Sequence, residues 1–206
     1  MAEINIRRAT AADLDDLVRI HSRAWQETYA GKIRQERIDE LNQPGARERT
    51  WLEAFADAEA DPEVRPAIGF VDGEPAGLAL ARPSVDGDSP NATELKTLYT
   101  LAPAYGTGLG RALVDAVLGD RAAWLWMLDG NERAERFYAK LGFARFEEPV
   151  WRWPNASKPD VRLVRGAQGD REPSLDALPS LSEPTLSAVP VSRQAQPLEA
   201  SPVPSA

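Results

Sequence analysis

Three glycines fall within Tyr105 to Arg111, YGTGLGR, where an alternating, strand-like run gives way to a helical pattern. Closely spaced glycines at a helix start let backbone N–H groups approach an anion, and the positive end of the helix dipole favours negative charge there. Holding a phosphate or pyrophosphate is the chemistry this admits. The plain alternative is a tight strand-to-helix turn. Spacing narrows the ligand. A dinucleotide fingerprint needs G-x-G-x-x-G, but Gly106 and Gly108 are followed by Arg111 where the third glycine belongs, and no ribose-binding acid follows on a parallel strand. The P-loop string G-x-x-x-x-G-K-[ST] does not occur, so NAD and ATP are both poorly supported.

Other chemistries are bounded by what the chain contains. With no cysteine among 206 residues, disulfides, thiolate metal sites and an acyl-cysteine intermediate are impossible, and any acyl transfer is direct or uses another nucleophile. One histidine, His21, and scattered carboxylates give no metal-ligand spacing, so no metal is expected. Lys and Arg total 24 against 32 Asp and Glu, a net charge of −8, which argues against nucleic-acid binding and makes a cationic partner electrostatically easier. The opening MAEINIRRATAADLDD has no apolar signal region, and no window approaches the ~18–20 apolar residues of a membrane span. A soluble, cytoplasmic protein without a membrane partner is the expectation.

The elements that must position the glycine loop follow from periodicity. Ile4 to Arg8 reads as a short strand, and Thr10 with Asp13 forms a variant capping box opening a helix. Leu14, Leu17, Val18, His21, Trp25 and Thr28 recur at helical spacing until Gly31. A short helix over 34–41 and another over 46–60, with Trp51, Leu52 and Phe55 inward, come next. Strands 67–71 and 76–81 flank Asp72-Gly73 as a hairpin. The run ELKTLYTLAP (94–103) is a strand leading into the loop and its helix, and 122–128 is a buried strand. Asn131 caps a helix carrying Ala134, Phe137, Tyr138 and Leu141 until Gly142, and 143–154 and 161–166 supply two final strands. The predicted class is α/β, α+β-like, with a mixed, mostly antiparallel central sheet flanked by helices. Residues 1–165 form the folded domain. From Gly166 onward seven of the seventeen prolines fall in the remainder of the chain with no aromatic residue, so 166–206 is expected to be a disordered tail, either a solvated extension or the carrier of a docking motif.

Three segments, in order, resemble the GNAT family, the acetyl-CoA-dependent N-acetyltransferases. LYTLAPAYGTGLGRAL (98–113) is similar to the family's strand and pyrophosphate loop, [QR]-x-x-G-x-[GA]. WLWMLDGNERAERFYAKLGF (124–143) is similar to its second signature, and IRRATAADLDDLVRIHSRAWQETYAGKI to its opening strand and helix, with a W-x-x-x-Y-x-G ending. The resemblance covers about residues 4–165 and implies the GNAT fold. It departs from the pattern at Tyr105, where the family has Gln or Arg; a donor side chain is lost while the backbone amides remain.

By this resemblance the amides of Gly106, Thr107, Gly108, Leu109, Gly110 and Arg111 hold the pyrophosphate, Leu101 and its strand neighbours bond the pantetheine arm, and Asn131 reaches that arm near the thiol. Amine acylation needs a neutral amine, oxyanion stabilisation and a proton donor for the departing thiolate. The resemblance gives Tyr138 the donor role, against plain packing on its helical stripe, and places Glu94 where some members keep a general base, against an ordinary strand-end acid. His21 is a pocket-wall or core histidine, or a base. Trp25 and Tyr29 are an aromatic wall of the acceptor pocket attracting a cationic amine, or packing residues. The implied function is a bacterial N-acetyltransferase passing acetyl from acetyl-CoA directly to a primary amine of a small molecule or peptide, with a homodimer as a further expectation. A non-catalytic acyl-CoA-binding regulatory module is the alternative.

Overall fold

Ile4 and Ile6 alternate with polar residues, and this alternation folds as strand β1 (Ile4–Arg8), antiparallel to β2 (Arg65–Val71). The computed structural model describes residues 2–85, 87–152 and 158–167, all within the first of two units of the chain, Met1–Arg171; the second, Glu172–Ala206, lies outside the described residues, as does the expected disordered tail from 168 onward. After β1 the capping box forms as the sequence predicts. The Asp13 carboxylate accepts from the Thr10 backbone N–H at 2.9 Å and hydroxyl at 3.1 Å, and a single turn of 3-10 helix (Ala11–Asp13) leads into α1 (Leu14–Tyr29).

Asp13 also takes the Arg7 guanidinium through two bonds of 2.6 and 2.7 Å. The Arg7 contact and the Thr10 donors hold the Asp13 carboxyl down at about 2 against burial. A carboxyl depressed on folding contributes stability that is complete above its unfolded pKa and lost as pH falls through the folded one. Because Arg7 is half exposed and screened, the contribution is about 1–2 kcal/mol. The expected result is that Asp13→Asn lowers the pH 7 melting temperature, and that the gap to the unsubstituted protein closes between about pH 4 and 2 in thermal melts.

Leu17, Ile20, His21 and Ala24 form the buried face of α1. Two further helices follow, α2 (Gln35–Leu41) and α3 (Ala46–Ala60). On α3 the inner face differs from expectation: Leu52 is half exposed, and the buried stripe is Arg47, Trp51 and Ala54, spaced i, i+4, i+7. The predicted hairpin forms between β2 and β3 (Glu74–Pro83) through the Asp72-Gly73 turn, where both residues have positive φ. Strand β4 (Thr93–Thr100) stops short of the expected 103, because Ala102–Ala104, with Pro103, forms a 3-10 turn. Then come α4 (Leu109–Leu118), β5 (Ala123–Leu128), α5 (Glu132–Lys140), β6 (Ala144–Arg145) and β7 (Asp160–Arg165). The long strand predicted over 143–154 shrinks to the two residues of β6 and an isolated bridge from Val150 to Asp160; Glu147, Glu148 and Pro149 interrupt it, proline having no N–H to give a ladder, and 153–154 lie outside the described residues.

The seven strands form one sheet in the order β1-β2-β3-β4-β5-β7-β6, antiparallel except for β4 beside β5. This mixed, mostly antiparallel sheet with helices on both faces is the GNAT-like architecture expected. Leu109, Leu113 and Val117 of α4 pack on one face with Ala79 and Leu125; Leu17 and Ile20 of α1 and Trp51 of α3 pack on the other with Ile68 and Leu78. The helix α4 seats closely because Gly69 and Gly77, paired across β2 and β3, have no side chain: a Cβ on either would lie 2.7–2.8 Å from a leucine methyl of α4 or a neighbour. This seat fixes where the α4 N-terminus points. Among the described residues no helix is long and apolar enough to cross a membrane.

Candidate active site

The register of β4 against β5 makes the site. The two parallel strands pair at Glu94 and Trp124 alone, and a bulge at Lys96, which has no partner between Thr97↔Leu80 and Leu95↔Ala81, bends β4 at that point. Beyond it the strands diverge, leaving a cleft of about 440 Å³ walled by Lys96 to Thr100 of β4, Trp126 and Met127 of β5, and α5. The β4 edge facing the cleft has no β5 partner past Glu94, so its backbone groups are available to an extended ligand, as a sheet edge is to an added strand.

The glycine loop borders this cleft. Gly106 and Gly108 have φ of +79° and +98°, a left-handed conformation that costs little without a Cβ, and Gly108 is the residue from which α4 starts. Of the six predicted amides, two are engaged within the loop: Thr107 N–H with the Ala104 carbonyl at 3.4 Å, and Leu109 N–H with Thr107 Oγ1 at 3.3 Å. Those of Gly106, Gly108, Gly110 and Arg111 have no backbone acceptor among the described residues, and these same four residues line the cleft. Lys96, Arg111, Arg133 and Lys140 add positive charge to its walls in a chain of net charge −8. The Arg133 guanidinium lies 3.6 Å over the ring of Tyr105, so a cation stands beside the position where the loop pattern loses its donor. A nest of unbonded amides at a helix N-terminus with basic flanks fits a phosphate-bearing ligand.

Tyr138 lines the cleft from α5, half-buried, its ring 5.2 Å from Phe137 and 5.6 Å from Phe143. Burial, with the nearby Tyr29 as a smaller influence, pushes the phenol above its ordinary value, so it holds its proton at neutral pH. Asn131 also lines the cleft; its Oδ1 caps α5 through Ala134 N–H at 3.4 Å, leaving the amide NH2 for other use. Tyr29 lines the cleft, and its hydroxyl meets that of Tyr99 at 3.5 Å.

Other expected residues stand elsewhere. Leu101 is buried against α1 and α3, with its N–H on the Ala76 carbonyl and its carbonyl on Ala104 N–H, so it offers no backbone group to a ligand. Glu94 is only 4% exposed and does not line the cleft; its carboxylate accepts from Arg82 Nε at 2.8 Å and lies 3.5 Å from Lys96 Nζ. Trp25 sits behind the wall, its ring 4.8 Å from Tyr29 and 6.5 Å from Tyr99. His21 is buried, and desolvation together with the Arg47 charge holds it at about 3, so its imidazole is neutral throughout the physiological range. Tyr99, Lys96 and Arg133 were not singled out from the sequence. Tyr99 had a usable signal, a place in the alternation of β4, but alternation does not say which face meets a cleft. Among the described residues no three His, Asp or Glu side chains form a metal-ligating group.

The comparisons with known proteins agree with this geometry. The sequence profile of the Acetyltransferase (GNAT) family matches residues 16–143, and the chain belongs to that family. It is 37% identical over 95 residues to an uncharacterized N-acetyltransferase of Mycobacterium tuberculosis, a match that covers 43% of this chain and 58% of that protein's length. The fold is similar to that of the PaiA N-acetyltransferase of Thermoplasma acidophilum, solved in complex with coenzyme A (TM-score 0.61, 19% identity, 80% of this chain and 99% of the other). It is also similar to that of a ribosomal-protein-alanine N-acetyltransferase of Brucella melitensis (TM-score 0.60, 21% identity, 78% and 98%).

Proposed function

We propose that the protein transfers acetyl from acetyl-CoA directly to a primary amine. The observation that carries this reading is one cleft bordered both by the unbonded amides of Gly106, Gly108, Gly110 and Arg111 and by the protonated phenol of Tyr138. The coenzyme A bound to the similar Thermoplasma fold supports that choice of ligand. Acetyl-CoA supplies an activated acetyl thioester. The four amides, with Arg133 and Arg111, hold its pyrophosphate; the unpaired β4 edge aligns the pantetheine; the Asn131 amide donates to it. Tyr138 keeps a proton at Oη and releases it to the departing thiolate.

Absence of cysteine removes the acyl-cysteine route and favours direct transfer. Glu94, held by Arg82 and Lys96 away from the cleft walls, is a structural acid in this reading, one that ties down the closed end of the strand pair. His21, neutral to about pH 3, is too weak a base to deprotonate an ammonium. The incoming amine therefore loses one proton to water before attack and a second as the C–S bond breaks and the amide forms, which restores the Tyr138 phenol.

Release of CoA thiol from acetyl-CoA, followed with a thiol-reactive dye across small polyamines, amino sugars, amino acids and peptides, tests the reading, and a protein without cysteine contributes no background. Acceptor-dependent release is expected. Acetyl-CoA binding with no release from any acceptor would overturn the enzyme in favour of an acyl-CoA-binding module.

A further inference from the structure

Arg47 lies on the buried stripe of α3, 6% exposed, in the first turn of a helix, where the dipole already places positive charge. A buried guanidinium ordinarily faces a carboxylate. Here, among the described residues, none pairs with it. Nη1 donates to His21 Nε2 at 3.1 Å, Nε makes a long 3.4 Å contact with Asn42 Oδ1, the guanidinium lies 4.6 Å over the Trp25 ring, and Nη2 has no partner. Arg37 of α2 adds a second positive charge to its surroundings.

The neighbours add donors of their own. A guanidinium can only donate, so His21 accepts through Nε2 and carries its proton on Nδ1, and that N–H is buried without a partner among the described residues. Trp25 Nε1–H is likewise buried and unpartnered among them. The phenols of Tyr29 and Tyr99 are both pushed up by burial, so neither supplies the negative charge. A cluster with one uncompensated cation and three buried donors wants an anion with several lone pairs.

This cluster lies one ring behind the cleft. The His21 ring is 5.2 Å from that of Tyr99 and the Trp25 ring 4.8 Å from that of Tyr29, and both tyrosines are cleft walls. Their hydroxyls meet at 3.5 Å, so no strong hydrogen bond closes the layer between the cleft and the cluster. We propose that the acceptor amine also carries a carboxylate, and that Arg47, with His21 Nδ1–H and Trp25 Nε1–H, is the subsite that receives it. The acceptor is then of the amino-acid type, not a plain amine or polyamine. Local charge thereby outweighs the net −8 of the chain, which by itself pointed toward a cationic partner. The inference rests on the amine-acylation reading above for the other end of the acceptor.

The test uses product mimics, so that it is read without turnover. The full-length protein, with and without saturating CoA, is titrated calorimetrically with N-acetylglycine and N-acetylphenylalanine and with the matching N-acetyl amides. The acids are expected to bind at least about tenfold tighter than the amides, a modest share of what a charge-assisted bidentate pair supplies. In Arg47→Gln that ratio falls to near one with CoA affinity unchanged, which also reports an intact fold; Arg47→Lys retains part of it. Equal binding of acids and amides, no binding of either, or a ratio that survives in Arg47→Gln would each overturn the carboxylate subsite. A protein that prefers the acids but releases no CoA thiol from acetyl-CoA would keep the subsite and lose acetyl transfer. One that acetylates glycinamide as fast as glycine would do the reverse.

Discussion

Replacing Tyr138 by phenylalanine is expected to lower kcat by about 10²–10⁴-fold, the usual worth of a positioned proton donor, and to leave acetyl-CoA affinity essentially unchanged. The ring contacts to Phe137 and Phe143 survive the substitution, so packing on α5 is retained and only the hydroxyl is lost. The phenol suits the role because burial keeps it protonated, and because a thiolate leaving an acyl group gains most from a donor at the moment its charge develops. Steady-state turnover beside calorimetric acetyl-CoA binding separates the two effects. Wild-type kcat in Tyr138→Phe would leave the residue as a packing group and the thiolate to be protonated by solvent.

Gly108→Val should abolish measurable CoA binding. At φ +98° a β-branched residue is strained by an amount on the order of 1–3 kcal/mol, and the space around its Cβ, with Ile4 Cδ1 at 3.6 Å, gives no clash to blame instead. Relief of that strain rotates the peptide planes on both sides, which turns the Gly108 N–H out of the concavity and pulls the Leu109 N–H, at the start of α4, off Thr107 Oγ1. Losing one charge-assisted bond of about 1.5–3 kcal/mol, with about 1–3 kcal/mol more to restore the strained loop on binding, corresponds to about a hundredfold or more in affinity. Gly106→Ala is the companion variant: its φ is +79°, nothing lies within 4 Å of the added methyl, and alanine tolerates this region better, so a loss of several-fold is expected. Unchanged CoA affinity in a folded Gly108→Val protein would reduce the loop to a turn.

These two residues were legible in the sequence for different reasons. Gly108 announced itself through local chemistry, since a glycine triplet between a strand pattern and a helix pattern has few other uses. Tyr138 was one of four residues on a helical stripe, and only the resemblance of its segment to a family signature raised it above packing. Three other assignments failed locally. Alternation runs the strand on through Leu101, but Pro103 turns the chain, and the Leu101 amide is used by Ala76. Hydrophobicity points Leu52 inward, yet the stripe on α3 is set by Arg47, Trp51 and Ala54, because a helix buries the face its neighbours cover. The expected closing strand gave way to Pro149 and its flanking acids.

The amino-acid sequence by itself determined the order of the elements, the capping box, the Asp72-Gly73 hairpin, the glycine loop and the exclusion of cysteine chemistry. The exclusion follows from composition; the others depend on residues within a few positions of one another, where backbone preference and side-chain period act directly. Only the tertiary structure decided that β4 and β5 touch at a single register pair and then part, that Arg133 comes to lie over Tyr105, and that Arg47 meets His21, 26 residues away, with no carboxylate paired to it among the described residues. Each of these is set by how separate elements pack, and whether a charge is buried and unpaired is a property of everything around it, which no local spacing encodes.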